Sequence, residues 1–267
     1  MSLTALIAII VLILVALLIL IKVFQKESID IKDFNDKWRT ILMNDVAYYL
    51  HLNASERQRF EHDILIFFKK VRITGVDTEI RDKDRILVAS SAVIPLFGYP
   101  GSSFDNLSEV LIYKGSFNHE YETERGKDRR ILGMVGDGVM NRHMILSKKA
   151  LREGFDKNHI SHNVGIHEFV HLLDKADGQT DGIPLFVLQS KEVEPWLDVV
   201  TGEIQDILDG KSKINPYGAT NEAEFFSVAS EYFFMQPQLL QKNHPELYDK
   251  LVNIYKQDPA QGLGKLT

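Results

Sequence analysis

The 267-residue chain contains no cysteine. Disulfides are excluded, and any metal ion must be held by nitrogen and oxygen donors alone. The lack of thiols also fits a reducing compartment such as the cytoplasm. There is no excess of positive charge either. Lys and Arg number 31 against 37 Asp and Glu, a net charge of −6, which argues against a general nucleic-acid binder. The bias of a disordered chain is missing too. With 45% hydrophobic and 25% charged residues, this is an ordinary globular composition, long enough for one domain or a compact two-lobed one behind an anchor.

Charge is also absent from the first 21 residues. Leu3 to Ile21 is apolar apart from Thr4, and about 20 such residues cross a bilayer core as a helix. The marks of a cleaved signal peptide are lacking: no basic stretch precedes the run, the run is too long, and no small-residue cleavage site follows it. The expectation is an uncleaved transmembrane anchor over residues 1–25, touching the membrane through residues 3–23, with the remaining domain over residues 26–267. Lys22, Lys26, Lys32, Lys37 and Arg39 follow the span and no basic residue precedes it. The positive-inside rule then makes this a single-pass protein of the inner or cytoplasmic membrane with its body in the cytoplasm.

Beyond the anchor the pattern mixes helices with a few strands. Phe34, Trp38, Ile41 and Leu42 fall at helical spacing. Ser55 can cap a second helix carrying Phe60, Ile64, Phe67, Phe68 and Val71. Arg72 to Val76 reads as a short strand. Arg85 to Phe97, with Ala89, Ser90, Ser91 and Ala92, reads as a helix that approaches a neighbour closely and ends at Pro95 and Gly98. His51 and His62 read as surface residues. Leu107 to Phe117 reads as a strand and Tyr121 to Arg130 as a charged loop. Ile131 to Val135 and Val139 to Ser147 flank Gly136-Asp137-Gly138, a hairpin pattern. Such a hairpin is either plain structure or an edge along which an extended peptide can lie. Lys148 to Phe155 is a short helix. Glu192 to Leu208 is a long one, with Trp196, Val199, Val200, Ile204, Ile207 and Leu208 facing inward.

The stretch that carries chemistry is Asn163 to Gly178, NVGIHEFVHLLDKADG. On a helix His167 and His171 lie one turn apart on one face, so both imidazoles can reach one metal ion, and Glu168 can reach a water on it. The flanking Val164, Ile166, Phe169, Val170, Leu172 and Leu173 suit a buried helix. Two structural histidines without a metal would leave several buried polar groups unpaired. His159 and His162 read as polar residues at the helix start rather than as a second ligand pair, and Asn163 or Ser161 as its cap. Asp174 and Asp177 sit at the helix end, where the dipole disfavours anions. Asp174 lies on the metal-facing side, either supporting a ligand histidine or a nearby group, or simply solvated. Gly178 suits the position after the helix, and Gly182-Ile183-Pro184 a turn.

Two imidazoles need a third protein ligand. A second stretch, NPYGATNEAEFFSVASEYFF from Asn215 to Phe234, offers Glu222, Glu224 and Glu231 on a helix capped by Asn221 and packed through Phe225, Val228, Ala229 and Tyr232. Glu224 and Glu231 are seven apart and share a face, and spacing does not decide between them. The two stretches together, HEFVHLLDKADG and PYGATNEAEFF, resemble the zinc-dependent peptidases related to Mlc titration factor A, and the zinc site is similar to that of the anthrax lethal factor catalytic domain. The resemblance runs from about Ser55 to Asp258 and takes in the closing IYKQDP segment. It implies an α+β, zincin-like metallopeptidase domain, a small sheet packed with helices. It implies one Zn2+ per chain, held by His167, His171 and Glu224, with Glu168 as general base. It implies Tyr217 as the group that stabilises the oxyanion or donates a proton. The N-terminal span departs from the founding member, which looks soluble.

The reaction expected is peptide-bond hydrolysis of a peptide or protein substrate through a metal-activated water. A different class of function is a regulatory binding protein that sequesters a transcriptional repressor, with peptidase activity secondary. A purely structural zinc site fits less well, because such sites are closed by four protein ligands.

Overall fold

Short runs of apolar and β-branched residues build a four-stranded sheet, and longer runs of helical period wrap it. The computed structural model describes residues 34–116, 132–135, 142–156, 162–185 and 187–262, all within one compact unit, Phe34–Thr267. The expected anchor over residues 1–25, the loop at 121–130, the turn at 136–138, His159 and Ser161 lie outside the described residues. Among the described residues no helix is long and apolar enough to cross a membrane.

In chain order the elements are α1 (Asp36–Asp45), α2 (Ala47–Leu50), α3 (Ala54–Lys70), β1 (Arg72–Val76), α4 (Asp82–Leu96), β2 (Glu109–Tyr113), β3 (Gly133–Val135), β4 (His143–Ser147), α5 (Lys148–Gly154), α6 (Val164–Asp174), α7 (Ser190–Leu208), α8 (Glu222–Met235), α9 (Pro237–Asn243) and α10 (Pro245–Tyr255). The sheet order is β1-β2-β4-β3. β2 runs parallel to β1 and to β4, with Val110 opposite Ile73 and Met144. Parallel neighbours need a crossover, and between β1 and β2 the chain supplies α4. β3 pairs antiparallel with β4, Gly133 opposite Leu146 and Val135 opposite Met144. The hairpin strands expected from the sequence therefore pair as such, with β3 at the sheet edge.

Two contacts place α6 in the middle of the fold. Its apolar side chains Val164, Ile166, Phe169 and Val170 are buried. It also packs against α4, where the small residues occur as expected: Ser90, Ser91 and Ala92 are buried. A Cβ added to Gly165 of α6 would lie 2.1 Å from Ser91 Oγ, so the two backbones approach as they do only because position 165 has no side chain. An aromatic cluster lies beyond, with Tyr48, Phe60, Phe97, Phe233, Phe234 and Tyr255 all buried. Such rings supply much of the apolar area a core buries. The closing segment is tied in through Gln257. Its Nε2 donates to the Ile94 carbonyl at 2.9 Å, and its Oε1 accepts from the Tyr48 hydroxyl.

Several local expectations need correction. The cap of α3 is Asn53, whose Oδ1 accepts from the backbone of Ser55 and Glu56 while Glu56 returns a bond to Asn53 N. The reciprocal pair satisfies two helix-end donors that Ser55 would have left open. Helix α4 begins at Asp82, three residues early, because Asp84 bonds back to Arg81 N at 3.0 Å. Pro95 sits inside its last turn, and the helix closes at Leu96, one residue after it. Leu208 is 64% exposed; it ends α7 one position past Ile207, which takes the inward place. His51 is exposed, and the His62 side chain is 42% exposed, as surface residues.

Candidate metal centre

The site is built where α6 meets α8. Asn163 caps α6, its Oδ1 accepting from Ile166 N at 3.0 Å. The helix then presents His167 and His171 from one face. Asn221 caps α8, its Oδ1 accepting from Glu224 N at 2.9 Å, and so holds Glu224 in the first turn. Glu224 Oε2 lies 3.0 Å from His167 Nε2 and 3.4 Å from His171 Nε2. The two Nε2 atoms are 3.1 Å apart. These three donors, one per residue, all lie within 4.8 Å of one another. Glu222 is exposed and turned elsewhere.

Glu231, one face-repeat further along α8, meets the same imidazole from behind. Its Oε1 accepts from His167 Nδ1 at 2.6 Å. Its Oε2 accepts from Asn163 N at 2.6 Å and lies 2.7 Å from His162 Nδ1. The two acids that spacing could not separate are thus divided by the ring between them: Glu224 faces Nε2 and Glu231 faces Nδ1. His162 belongs with Glu231 rather than with the donor cluster. Glu231 was missed as a supporting group. The available signal was a second carboxylate two turns beyond Glu224 on the same face of α8, in a run otherwise rich in buried apolar residues. Of the alternatives for Asp174, the nearby group is the one found: the residue is buried, and its Oδ2 accepts from Gly182 N at 2.8 Å, fastening the turn expected there. Asp177 bonds Gln179 N locally, and Gly178 is left-handed at φ 100°.

Glu168 is buried beside the cluster, against the edge strand. A Cβ added to Gly133 of β3 would lie 2.5 Å from Glu168 Oε1. Burial raises the Glu168 carboxyl above its ordinary value, and the two histidines oppose that rise. Tyr217, on the 3₁₀ turn Pro216–Ala219, is 51% exposed. Its ring centroid is 6.1 Å from that of His167. Partial burial and the negative charge of Glu224 push its hydroxyl up to about 12, so it stays protonated at neutral pH.

Electrostatics show what the cluster accommodates. Burial works against a charged His167, yet Glu224 and Glu231 outweigh it and raise its pKa to about 10. Burial likewise opposes ionised Glu224, yet the two histidines hold its carboxyl far below the usual range. Positive charge on the His167 ring is thus favoured by the carboxylates of Glu224 and Glu231 on either side of it. Two imidazole nitrogens and a carboxylate oxygen are also the donors a Zn2+ ion takes, with room for a fourth position. The residues present therefore fit a divalent metal.

Comparison with known proteins agrees. A family model described as glucose-regulated metallo-peptidase M90 matches residues 21–256. An uncharacterized protein of Synechocystis sp., slr2042, is 29% identical over 234 residues, covering 83% of this chain and 84% of its own. Mlc titration factor A of Klebsiella pneumoniae is 30% identical over 224 residues, covering 79% of this chain and 83% of its own. Mlc titration factor A of Salmonella gallinarum is 29% identical over 242 residues, covering 86% and 89%.

Proposed function

Because the chain belongs to the glucose-regulated metallo-peptidase M90 family, we propose that it is a zinc-dependent peptidase whose single ion is held by His167, His171 and Glu224. The observation that carries this reading is the convergence of those donors within 4.8 Å, with Glu168 buried at their side. Bound there, zinc supplies Lewis acidity toward the scissile carbonyl and toward a water. Glu168 accepts the attacking water's proton at its carboxylate and returns it to the leaving amine. Its burial, which raises its carboxyl above the ordinary value, suits a group that takes up and releases a proton in each cycle. Tyr217 donates its hydroxyl proton to a hydrogen bond with the carbonyl oxygen as charge develops. β3, at the sheet edge next to Glu168, offers its backbone to an extended peptide or protein substrate.

The test is metal analysis of the purified chain together with cleavage of a peptide library, with and without a chelator. About one zinc per chain and chelator-sensitive cleavage are expected. Glu168→Gln should keep the metal and lose nearly all turnover. Undiminished cleavage by that variant would defeat the assignment.

A second reading is favoured by the name of the relatives, Mlc titration factor A: the chain holds a transcriptional regulator, with hydrolysis secondary. Stoichiometric capture of such a regulator by Glu168→Gln, without cleavage in the wild type, would support it. The apolar run from Leu3 to Ile21 supports a further part of the proposal, a single-pass anchor that keeps the domain on the cytoplasmic face of the inner or cytoplasmic membrane. Full-length chain should sediment with membranes and resist carbonate extraction, whereas a chain lacking residues 1–25 should not.

A further inference from the structure

Glu231 is 4% exposed, and both of its oxygens are engaged. Oε1 takes the Nδ1–H of His167 and Oε2 takes the backbone N–H of Asn163, each at 2.6 Å. Asn163 is itself fixed, since its Nδ2 donates to the Gly154 carbonyl at 2.9 Å and its Oδ1 caps α6. One carboxylate on α8 therefore grips the ring of the first histidine and the first turn of the helix that bears it. With Nδ1 as donor, the Nε2 lone pair is left facing Glu224 and His171, as a metal requires. The other imidazole has no such support: His171 Nδ1 is buried and without a hydrogen-bond partner among the described residues. Orientation of the donor set thus depends unequally on its two rings.

We infer that Glu231 is a positioning residue that sets the metal affinity of the site by fixing His167 in its Nδ1–H form and holding the start of α6 against α8. It reaches neither substrate nor the donor face of the ring. The inference rests on the reading of the cluster as a metal site and concerns how tightly that site binds, not the reaction it serves.

The experiment is a competition between the full chain and a chromophoric chelator for zinc, well below the melting temperature so that the folded fraction does not enter. Glu231→Gln preserves shape but confronts either His167 Nδ1–H or the nitrogens of Asn163 and His162 with an amide NH2. The zinc Kd of this variant should rise about 10- to 100-fold over wild type. A Kd within about threefold of wild type would overturn the inference, whatever happens to the melting temperature. Should the variant not fold, the zinc-loaded wild type decides by itself through long-range nitrogen–proton spectra of ¹⁵N-labelled histidine. The inference requires Nδ1–H on His167 with Nε2 on the metal, and the reverse tautomer would sink it. A wild type that binds no zinc at all would instead defeat the function proposed above. Zinc binding by the wild type with no loss in Glu231→Gln would defeat this inference alone.

Discussion

Replacing Gly133 with alanine tests whether the edge strand and Glu168, the proposed general base, are mutually placed. Gly133 does not occupy the left-handed region, so alanine meets no backbone strain there. The effect is steric. The new Cβ would sit 2.5 Å from Glu168 Oε1, 2.6 Å from its Cγ and 2.8 Å from its Cδ. Ordinary contact begins near 3.4 Å, so strand or carboxylate must retreat by about 0.9 Å to relieve the 2.5 Å approach. Glu168 is buried and cannot swing freely into solvent. A misplacement of about 1 Å in a reacting group costs on the order of 100-fold in rate, or about 2.7 kcal/mol in the barrier. The three atoms nearest the new Cβ all belong to Glu168, so metal content should be unchanged. The assay is continuous cleavage of a quenched fluorescent peptide, read beside the metal-to-protein ratio. A Gly133→Ala enzyme with full metal and kcat/KM within about threefold of wild type would show that the close approach does not hold the base in place.

Other substitutions separate the remaining roles. His171→Ala should lose the metal itself, and an undiminished zinc-to-protein ratio would count against the donor set. Tyr217→Phe should retain metal and lower kcat by about 100-fold with little change in KM, the loss expected for one oxyanion donor; an unchanged kcat would leave Tyr217 structural. Asp174 gives a pH signature in the metal-free protein. Burial, opposed by the Gly182 N–H, pushes its carboxyl up to about 6 from an ordinary 3.8. The folded chain thus binds this proton more tightly than the unfolded one, and stability from this group falls as pH rises between about 4 and 6. Asp174→Asn retains an acceptor for Gly182 N–H without the charge. It should melt higher than wild type above about pH 7, with the gap closing below about pH 4; a pH-independent gap in calorimetry would contradict this.

How much could be read in advance follows from range. Local signals served well where one residue decides: Asn163 and Asn221 cap the two site helices, and the serine-rich α4 marks a close approach. They misled where a neighbour competed. Asn53 displaced Ser55 as cap because Glu56 could reciprocate, and Leu208 lost the inward place to Ile207 at a helix end. The choice between Glu224 and Glu231 was beyond periodicity in principle. Both project from one face toward one imidazole, and what distinguishes them is which nitrogen each meets, a fact of tertiary placement. Resemblance named Glu224 where spacing left the choice open, and Glu224 is the acid that clusters with His167 and His171. Gly133 was equally hidden, since nothing near it in sequence announces a carboxylate from α6.

The two halves of the donor set are far apart along the chain, His167 standing 57 positions before Glu224. On a ribosome the imidazoles emerge first, and the helix bearing the acid follows only after α7 has been made. A nascent chain halted at Leu208 would carry both rings but neither Glu224 nor the Glu231 brace. Capture of the proposed zinc therefore waits until the chain has been made past Glu231, and a product cut short before it would be born without the grip that makes this centre.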